Sequence, residues 1–274
     1  GDGTAIDRPT PVAVKGLTNV TAIANGANHT CALKKDGTVA CWGYNPYGQC
    51  GDGTKTHRFK PVAAKIGSNT ITAIATGSYH TCALTNLGKV LCWGYNWYGQ
   101  LGDGTKTTRL KPGWVKDLYN VTAIAAAGSH TCALLTSGMV LCWGRGDYGQ
   151  LGDGTKNTRS KPGYLVLHPG SWSKKLTNVA AIAAGGSHTC AMRSSGSVVC
   201  WGQNKKGQLG DGTITDSPRP VSVKWLTKAK AIGAGFSHTC VAKKDGTAAC
   251  WGYNSQGQLG DGTKATRFRP VPVK

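Results

Sequence analysis

Apolar residues in this chain come in short runs, cut by Gly and Pro, and the runs recur in a fixed order. One unit of about fifty residues holds four of them. A Pro-flanked run such as 8–14 is followed by a small-residue run such as 20–24, then by two runs typified by "HTCAL" and "CWG". Runs of this length between turn residues predict strands rather than helices. Copies of Gly-Asp-Gly-Thr at Gly1, Gly51, Gly102, Gly152, Gly210 and Gly260 divide the chain into units 1–50, 51–101, 102–151, 152–209 and 210–259, with a stub at 260–274. A period of this size is a repeat architecture, and four strands per repeat is a propeller blade. The expected fold is therefore all-β: a single β-propeller over 1–274, with five full repeats and one surplus terminal strand. The Ala- and Gly-rich runs "VTAIAAAG", "VAAIAAGG" and "KAIGAG" suit the innermost strand, where blades crowd the axis. The Pro-flanked runs suit the outer edge, where a missing N–H breaks no ladder.

Cysteine spacing fixes the hairpins. Five pairs lie ten positions apart: Cys31 and Cys41, Cys82 and Cys92, Cys132 and Cys142, Cys190 and Cys200, Cys240 and Cys250. If each pair faces across two strands, the loop between them is three residues, as in Lys35-Asp36-Gly37, and Gly takes the third place every time. That place calls for the left-handed region, which Gly occupies without steric cost. Opposed strand residues lie within disulfide reach, so each repeat is read as a hairpin stapled across its own strands, which implies an oxidising, extracellular compartment. The competing reading is a metal held by His29, Cys31 and Cys41. It lacks short Cys knuckles and a fourth ligand, so neither metal nor cofactor is expected. Cys50, standing where other units have Leu101, Leu151, Leu209 and Leu259, is read as a buried thiol, with an intermolecular bridge as the alternative.

Charge adds a possible partner class. The chain carries 32 Lys and Arg against 12 acidic residues, all Asp, for a net charge of +20. Such a surplus favours polyanions and speeds encounter with them. The loops "KTHR", "KTTR", "KNTR" and "KATR" would set Lys55, Arg58, Lys106, Arg109, Lys156, Arg159, Lys264 and Arg267 along one rim as a basic arc for an acidic polymer (polysaccharide, nucleic acid or mineral) or a protein. Tyr44, Tyr95 and Tyr253 could serve as stacking platforms or could pack between blades. Turn capping rather than calcium binding is expected of the repeated Asp, and a structural hydrogen bond within each unit is expected of the five His-Thr histidines. No asymmetric catalytic constellation is present in the sequence, so no enzyme is expected. Arg145-Gly146-Asp147 matches a tripeptide read by adhesion receptors, although register drift explains it as well. No run reaches the roughly 18 apolar residues of a membrane span. Sequons occur at Asn19, Asn28 and Asn120, with Asn28 expected to be the least accessible. The chain begins at Gly1 with neither Met nor a signal peptide, which reads as a processed or excised piece.

"GSYHTCAL", "GFSHTC" and "CWGYNWYGQLGDGT" resemble the repeats of the regulator of chromosome condensation family, and the resemblance covers essentially all of 1–274. It implies a β-propeller, usually of seven blades. Founding members act as nucleotide-exchange factors for a small nuclear GTPase and bind chromatin, using segments that project from the ring. Here the one appreciable insertion is around 164–176, and stapled hairpins do not suit a nucleus. Light-sensing members cluster Trp beside the His-Thr, whereas this chain has Asn28, Tyr79, Ser129, Ser187 and Ser237 directly before its histidines. Disulfide-rich secreted forms are a better match. The expectation is a secreted, non-enzymatic binding or surface module, with an enzyme inhibitor and a self-assembling subunit joined through the surplus strand as alternatives.

Overall fold

The computed structural model describes residues 1–165 and 176–274, so the insertion read at 164–176 falls largely outside the described residues. Among those residues there are twenty strands and no helix. They form five antiparallel four-stranded sheets, each a plain meander in chain order. Blade one consists of β1 (Val20–Asn25), β2 (His29–Lys34), β3 (Val39–Gly43) and β4 (Arg58–Ala63). The pattern repeats over 71–114, 121–164, 179–222 and 229–272.

The sheets are out of phase with the sequence units. Each outer Pro-flanked strand pairs with the "CWG" strand before the Gly-Asp-Gly-Thr turn, as β4 pairs with β3, rather than with the small-residue strand that follows it. Periodicity fixes the length of a repeat but not where a sheet starts, so the unit 1–50 becomes the blade 20–63. The run left over is consequently the first one, 8–14, while Arg267–Pro272 completes blade five.

Residues 8–14 form no strand. The segment 1–15 instead lies against blade one as the outer loop of each blade lies against the next. The Gly3 N–H donates to the Phe59 carbonyl, just as Gly53, Gly104, Gly154 and Gly212 donate to Leu110, Ser160, Pro218 and Phe268. Lys15 N–H closes the segment on the Gly1 carbonyl as Lys65 N–H does on Gly51.

Within each blade the cysteines oppose one another in register, Cys31 with Cys41 and Cys132 with Cys142, for example. All five disulfides are formed, with Cα–Cα separations of 4.0–4.2 Å. Gly37 sits at φ 78° in its three-residue loop, the left-handed conformation the spacing requires.

The core lies between blades rather than within them. At the first junction Cys31, Leu33, Val39 and Cys41 of blade one meet Ile71, Ala83, Leu91 and Trp93 of blade two. The same construction recurs at the next three junctions. Each buried apolar side chain contributes roughly 1.5–3 kcal/mol, so consecutive blades are held mainly by this contact, as in other repeat proteins.

Among the described residues no fifth cluster joins blade five to blade one, and the wheel is open. Ile23 of blade one is 58% exposed where its counterparts Ile74 and Ile182 are packed into junctions. Both end faces are trimmed: Ala242 and Ala248 of blade five stand where the other blades have Leu or Met and Val, and Ala40 of blade one where blades two and three have Leu91 and Leu141. Asn28 is exposed, as are Asn19 and Asn120.

Cys50 is fully buried in the first junction, its N–H bonded to Asn45 Oδ1, and burial followed by the nearby Asp52 charge pushes its thiol up to about 12. A thiol held neutral and out of water is inert. Iodoacetamide should therefore modify no cysteine of the folded protein and one per chain after unfolding without reductant, as read by intact mass.

Candidate functional site

The repeated histidines are consumed by the junctions. His29 Nε2 lies 2.9 Å from Oγ1 of Thr81 in the next blade, Thr81 Oγ1 donates to the Gln49 carbonyl at 2.9 Å, and Trp93 Nε1 donates to the same carbonyl. The threonine's one proton goes to Gln49, so the histidine must donate from Nε2, and the tautomer is fixed. His80–Thr131, His130–Thr189 and His188–Thr239 repeat the relay. The bond expected within each unit thus crosses to the next, because the ring turns out of its own sheet into the junction. Burial lowers the pKa of His29 and His130 to about 4, and burial with neighbouring histidines lowers that of His80 and His188 to about 3. These are neutral structural groups. Cys31 and Cys41 are bonded to each other, leaving no thiolate for a metal beside His29.

The predicted basic arc divides in two. The arginines are paired inside their own loops: Arg58 with Asp52 at 2.7 Å, Arg109 with Asp103 at 2.8 Å, Arg159 with Asp153 at 3.1 Å and Arg267 with Asp261 at 2.7 Å. The same aspartates accept from the backbone and hydroxyl of the following Thr, as Asp52 does from Thr54, which is a turn cap. Burial works against the ionised Asp52, but the Thr54 and Arg58 hydrogen bonds prevail and hold it below the usual carboxylate range. Lys55, Lys106, Lys156 and Lys264 are exposed, and none of them has an ion pair among the described residues. Free positive charge on this rim is therefore lysine charge.

These loops share one face of the wheel with the turns between the first and second strands. The Tyr44 and Tyr95 N–H groups donate to the carbonyls of Asn28 and Tyr79 in those turns, and Asn45 N–H donates to His57 Nδ1 in the neighbouring loop. The same face carries an aromatic cluster that the sequence reading largely missed. Tyr47 lies 5.6 Å from Tyr79 and 4.8 Å from Tyr95 between ring centroids, Tyr44 lies 6.0 Å from Tyr79, and His57 stacks on Tyr44 at 4.9 Å. Tyr44 and Tyr95 thus lie on the face, where they also pack between blades one and two through Tyr79 and Tyr47. Arg145 extends the cluster into blade three, 5.0 Å from the Tyr98 ring and 5.6 Å from that of Tyr148. Its signal in the sequence was the recurring Tyr of "NPYGQ", "NWYGQ" and "GDYGQ". Tyr253 lies apart, beneath Lys206 at 5.3 Å.

Arg145 and Asp147 are joined to each other at 2.8 Å, and a Cβ on Gly146 would run into the Asn157 carbonyl. The tripeptide is a closed turn, with its charged ends tied together rather than splayed for a receptor. At the centre of the same face is a hollow of about 330 Å³, walled by turn residues such as Gly77, Ser78, Ala127 and Gly185 and edged by Phe236.

Residues 1–224 match the RCC1-like domain, and residues 229–258 match the regulator of chromosome condensation (RCC1) repeat. The chain belongs to the RCC1-like domain family. It is 32% identical over 231 residues to the ultraviolet-B receptor UVR8 of Arabidopsis thaliana, covering 82% of this chain and 51% of that one. It is also 32% identical over 220 residues to the probable E3 ubiquitin-protein ligase HERC4 of Homo sapiens, covering 78% and 20%. Human WBSCR16 superposes with a TM-score of 0.82 at 26% identity, over 93% of this chain and 67% of that one. Prp20p of Saccharomyces cerevisiae, whose binding to Gsp1p and histones is described with its structure, superposes at 0.79 and 23% identity over 93% and 63%, a likeness of fold. This RCC1-like chain spans about half the length of the receptor and a fifth of the ligase. The RCC1-like repeat accounts for whatever recurs in every blade; features occurring once, such as Trp97, are not demanded by it.

Proposed function

We propose that this RCC1-like propeller is an extracellular, non-enzymatic binding module whose lysine rim engages an acidic partner. The observation that carries the reading is the equivalent, exposed and unpaired placement of Lys55, Lys106, Lys156 and Lys264, in loops whose arginines are already neutralised by Asp. Fixed cations without local counter-charge raise the local concentration of anions, and salt screens the effect. The five disulfides, four of them buried at both cysteines, support an oxidising environment. The buried titratable histidines recur at every junction and hold blades together, which supports a binding rather than a catalytic role. The relatives named as ligases extend well beyond the stretch this chain matches.

The test is retention on immobilised heparin and on immobilised poly-glutamate, for the native protein and for a variant with Lys55→Glu, Lys106→Glu and Lys156→Glu. The native protein should bind both and lose at least about tenfold in affinity between roughly 0.05 and 0.5 M salt, and the variant should elute at much lower salt. Equal elution of the two proteins, or binding indifferent to salt, would refute the reading.

A further inference from the structure

The same face carries large side chains that the repeat does not explain. Trp97 is 68% exposed at the tip of the blade-two turn, between Tyr95 and Tyr98, where the other blades have Pro46, Asp147, Lys205 and Ser255. Two residues before it in the chain, Tyr95 interlocks with Tyr44, Tyr47 and Tyr79, with ring centroids 4.8–6.4 Å apart, and the Arg145 guanidinium lies over both Tyr98, the residue after Trp97, and Tyr148. The ridge crosses three blades and borders the central hollow through the turn that holds Ser78 and Tyr79; Phe236, 77% exposed, stands on the hollow's edge in blade five.

We infer that this ridge and hollow dock an acidic segment of a partner protein, with Trp97 as the anchor. The inference rests on the binding-module reading above and adds the place and chemistry of the contact. Trp, Tyr and Arg are the residues that dominate protein interfaces. Tyrosines already locked against one another lose little freedom on binding while offering both ring surface and hydroxyl donors. The hollow, walled by Gly and Ala, has room for an inserted side chain. Lys55, Lys106 and Lys156 lie in the loops of the same face and are unpaired, so carboxylates on the incoming segment meet complementary charge.

The geometry favours protein over single-stranded nucleic acid. Successive bases stack on a series of open aromatic faces, but the tyrosines here meet at 53–79°, edges turned on neighbouring faces, which leaves Trp97 as a single platform. Arg145, the cation within the ridge, already gives its Nε to Asp147, whose carboxylate offsets the charge a phosphate would seek.

The test selects short peptides from a phage-displayed library on the immobilised protein, then measures the winners by fluorescence anisotropy against native protein, Trp97→Ala, Tyr79→Phe and Lys106→Glu. Selected peptides should be net acidic with an apolar residue. Trp97→Ala should weaken them roughly tenfold or more, and Lys106→Glu should weaken them and flatten their salt dependence. Tyr79→Phe, which keeps the ring, should cost less than Trp97→Ala. Because Trp97 is exposed, the variant's unfolding midpoint should match the native protein's, separating lost contact from lost fold. Loss with Lys106→Glu but none with Trp97→Ala would overturn the ridge and leave the lysine rim standing. Peptides without acidic bias would overturn the acidic assignment. A thymidylate oligonucleotide that binds more tightly than the peptides and depends on Trp97 would overturn the assignment to protein, as would a homodimer abolished by Trp97→Ala.

Discussion

Between pH 6.5 and 5 the protein should lose several kcal/mol of stability, with histidine rather than carboxylate as the cause. His29, His80, His130 and His188 are buried and neutral, and burial holds their pKa values at about 3–4. In the unfolded chain they titrate near 6.5, so below that pH the unfolded state binds more protons and stability falls with pH. The contribution is fully present above about 6.5 and is lost progressively as pH drops toward 4. Each imidazole adds about 1.4 kcal/mol per pH unit to the slope, and four together approach the whole stability of an ordinary domain, about 5–15 kcal/mol. The cost is concrete: His Nε2 already donates to its threonine, and Nδ1, where the second proton must go, is buried without a partner in all four rings. Urea unfolding at a series of pH values should give a slope near four protons per chain around pH 5.5. His130→Gln should reduce that slope by about one proton, while Asp52→Asn should leave the slope unchanged between pH 7 and 5 and lower stability there by a constant amount, a loss that fades only at lower pH, where the native carboxylate itself becomes protonated. A stability flat between pH 7 and 5.5 would show that the junctions admit water or charge.

How much of this was legible in the sequence follows from the distance over which each contact acts. The hairpin turns, the opposed cysteines, the small-residue inner strand and the Pro-flanked outer strand are all set by neighbours within about a dozen residues, and the repeat supplies several independent readings of each. The phase of the blades was not legible, because a period has no origin. The histidine relay was misassigned for a related reason. His29 and Thr81 are 52 residues apart, and only the packing of one twisted sheet on the next brings Nε2 to the hydroxyl. The arginines of the basic loops read as free because the Gly-Asp-Gly-Thr turn conceals a six-residue return: Arg58 folds back onto Asp52. Tyr44 and Tyr95 were singled out, but Tyr47, Tyr79 and Tyr98 join them only because neighbouring blades set their turns side by side on one face. The open wheel was foreshadowed only as five full repeats with one strand left over.

Reduction of the five disulfides should unfold the propeller outright. Each closes a loop of eleven residues, since its cysteines are ten apart, and the loop-entropy account assigns such a closure roughly 2.5–3 kcal/mol. Five closures sum to the order of 14 kcal/mol, as large as the net stability of most domains. The open wheel has little to offset that loss, because its end faces carry Ala40, Ala242 and Ala248 where junctions elsewhere bury larger side chains. A single deletion should be milder and local: Cys132→Ala with Cys142→Ala in the central blade should cost about 3 kcal/mol. The paired blade-one variant, Cys31→Ala with Cys41→Ala, should leave blades three to five protected in hydrogen exchange, since each blade touches only its neighbours. Near-ultraviolet circular dichroism gives a direct reading through Trp93, Trp143, Trp201 and Trp251, which are fully buried in the native junctions. Their signal should survive reductant alone for as long as the sulfurs stay out of water, and collapse without recovery once mild denaturant and reductant act together. A reduced chain that kept this signal in denaturant would mean that blade packing alone carries the fold, and the argument for an oxidising compartment would lose its physical basis.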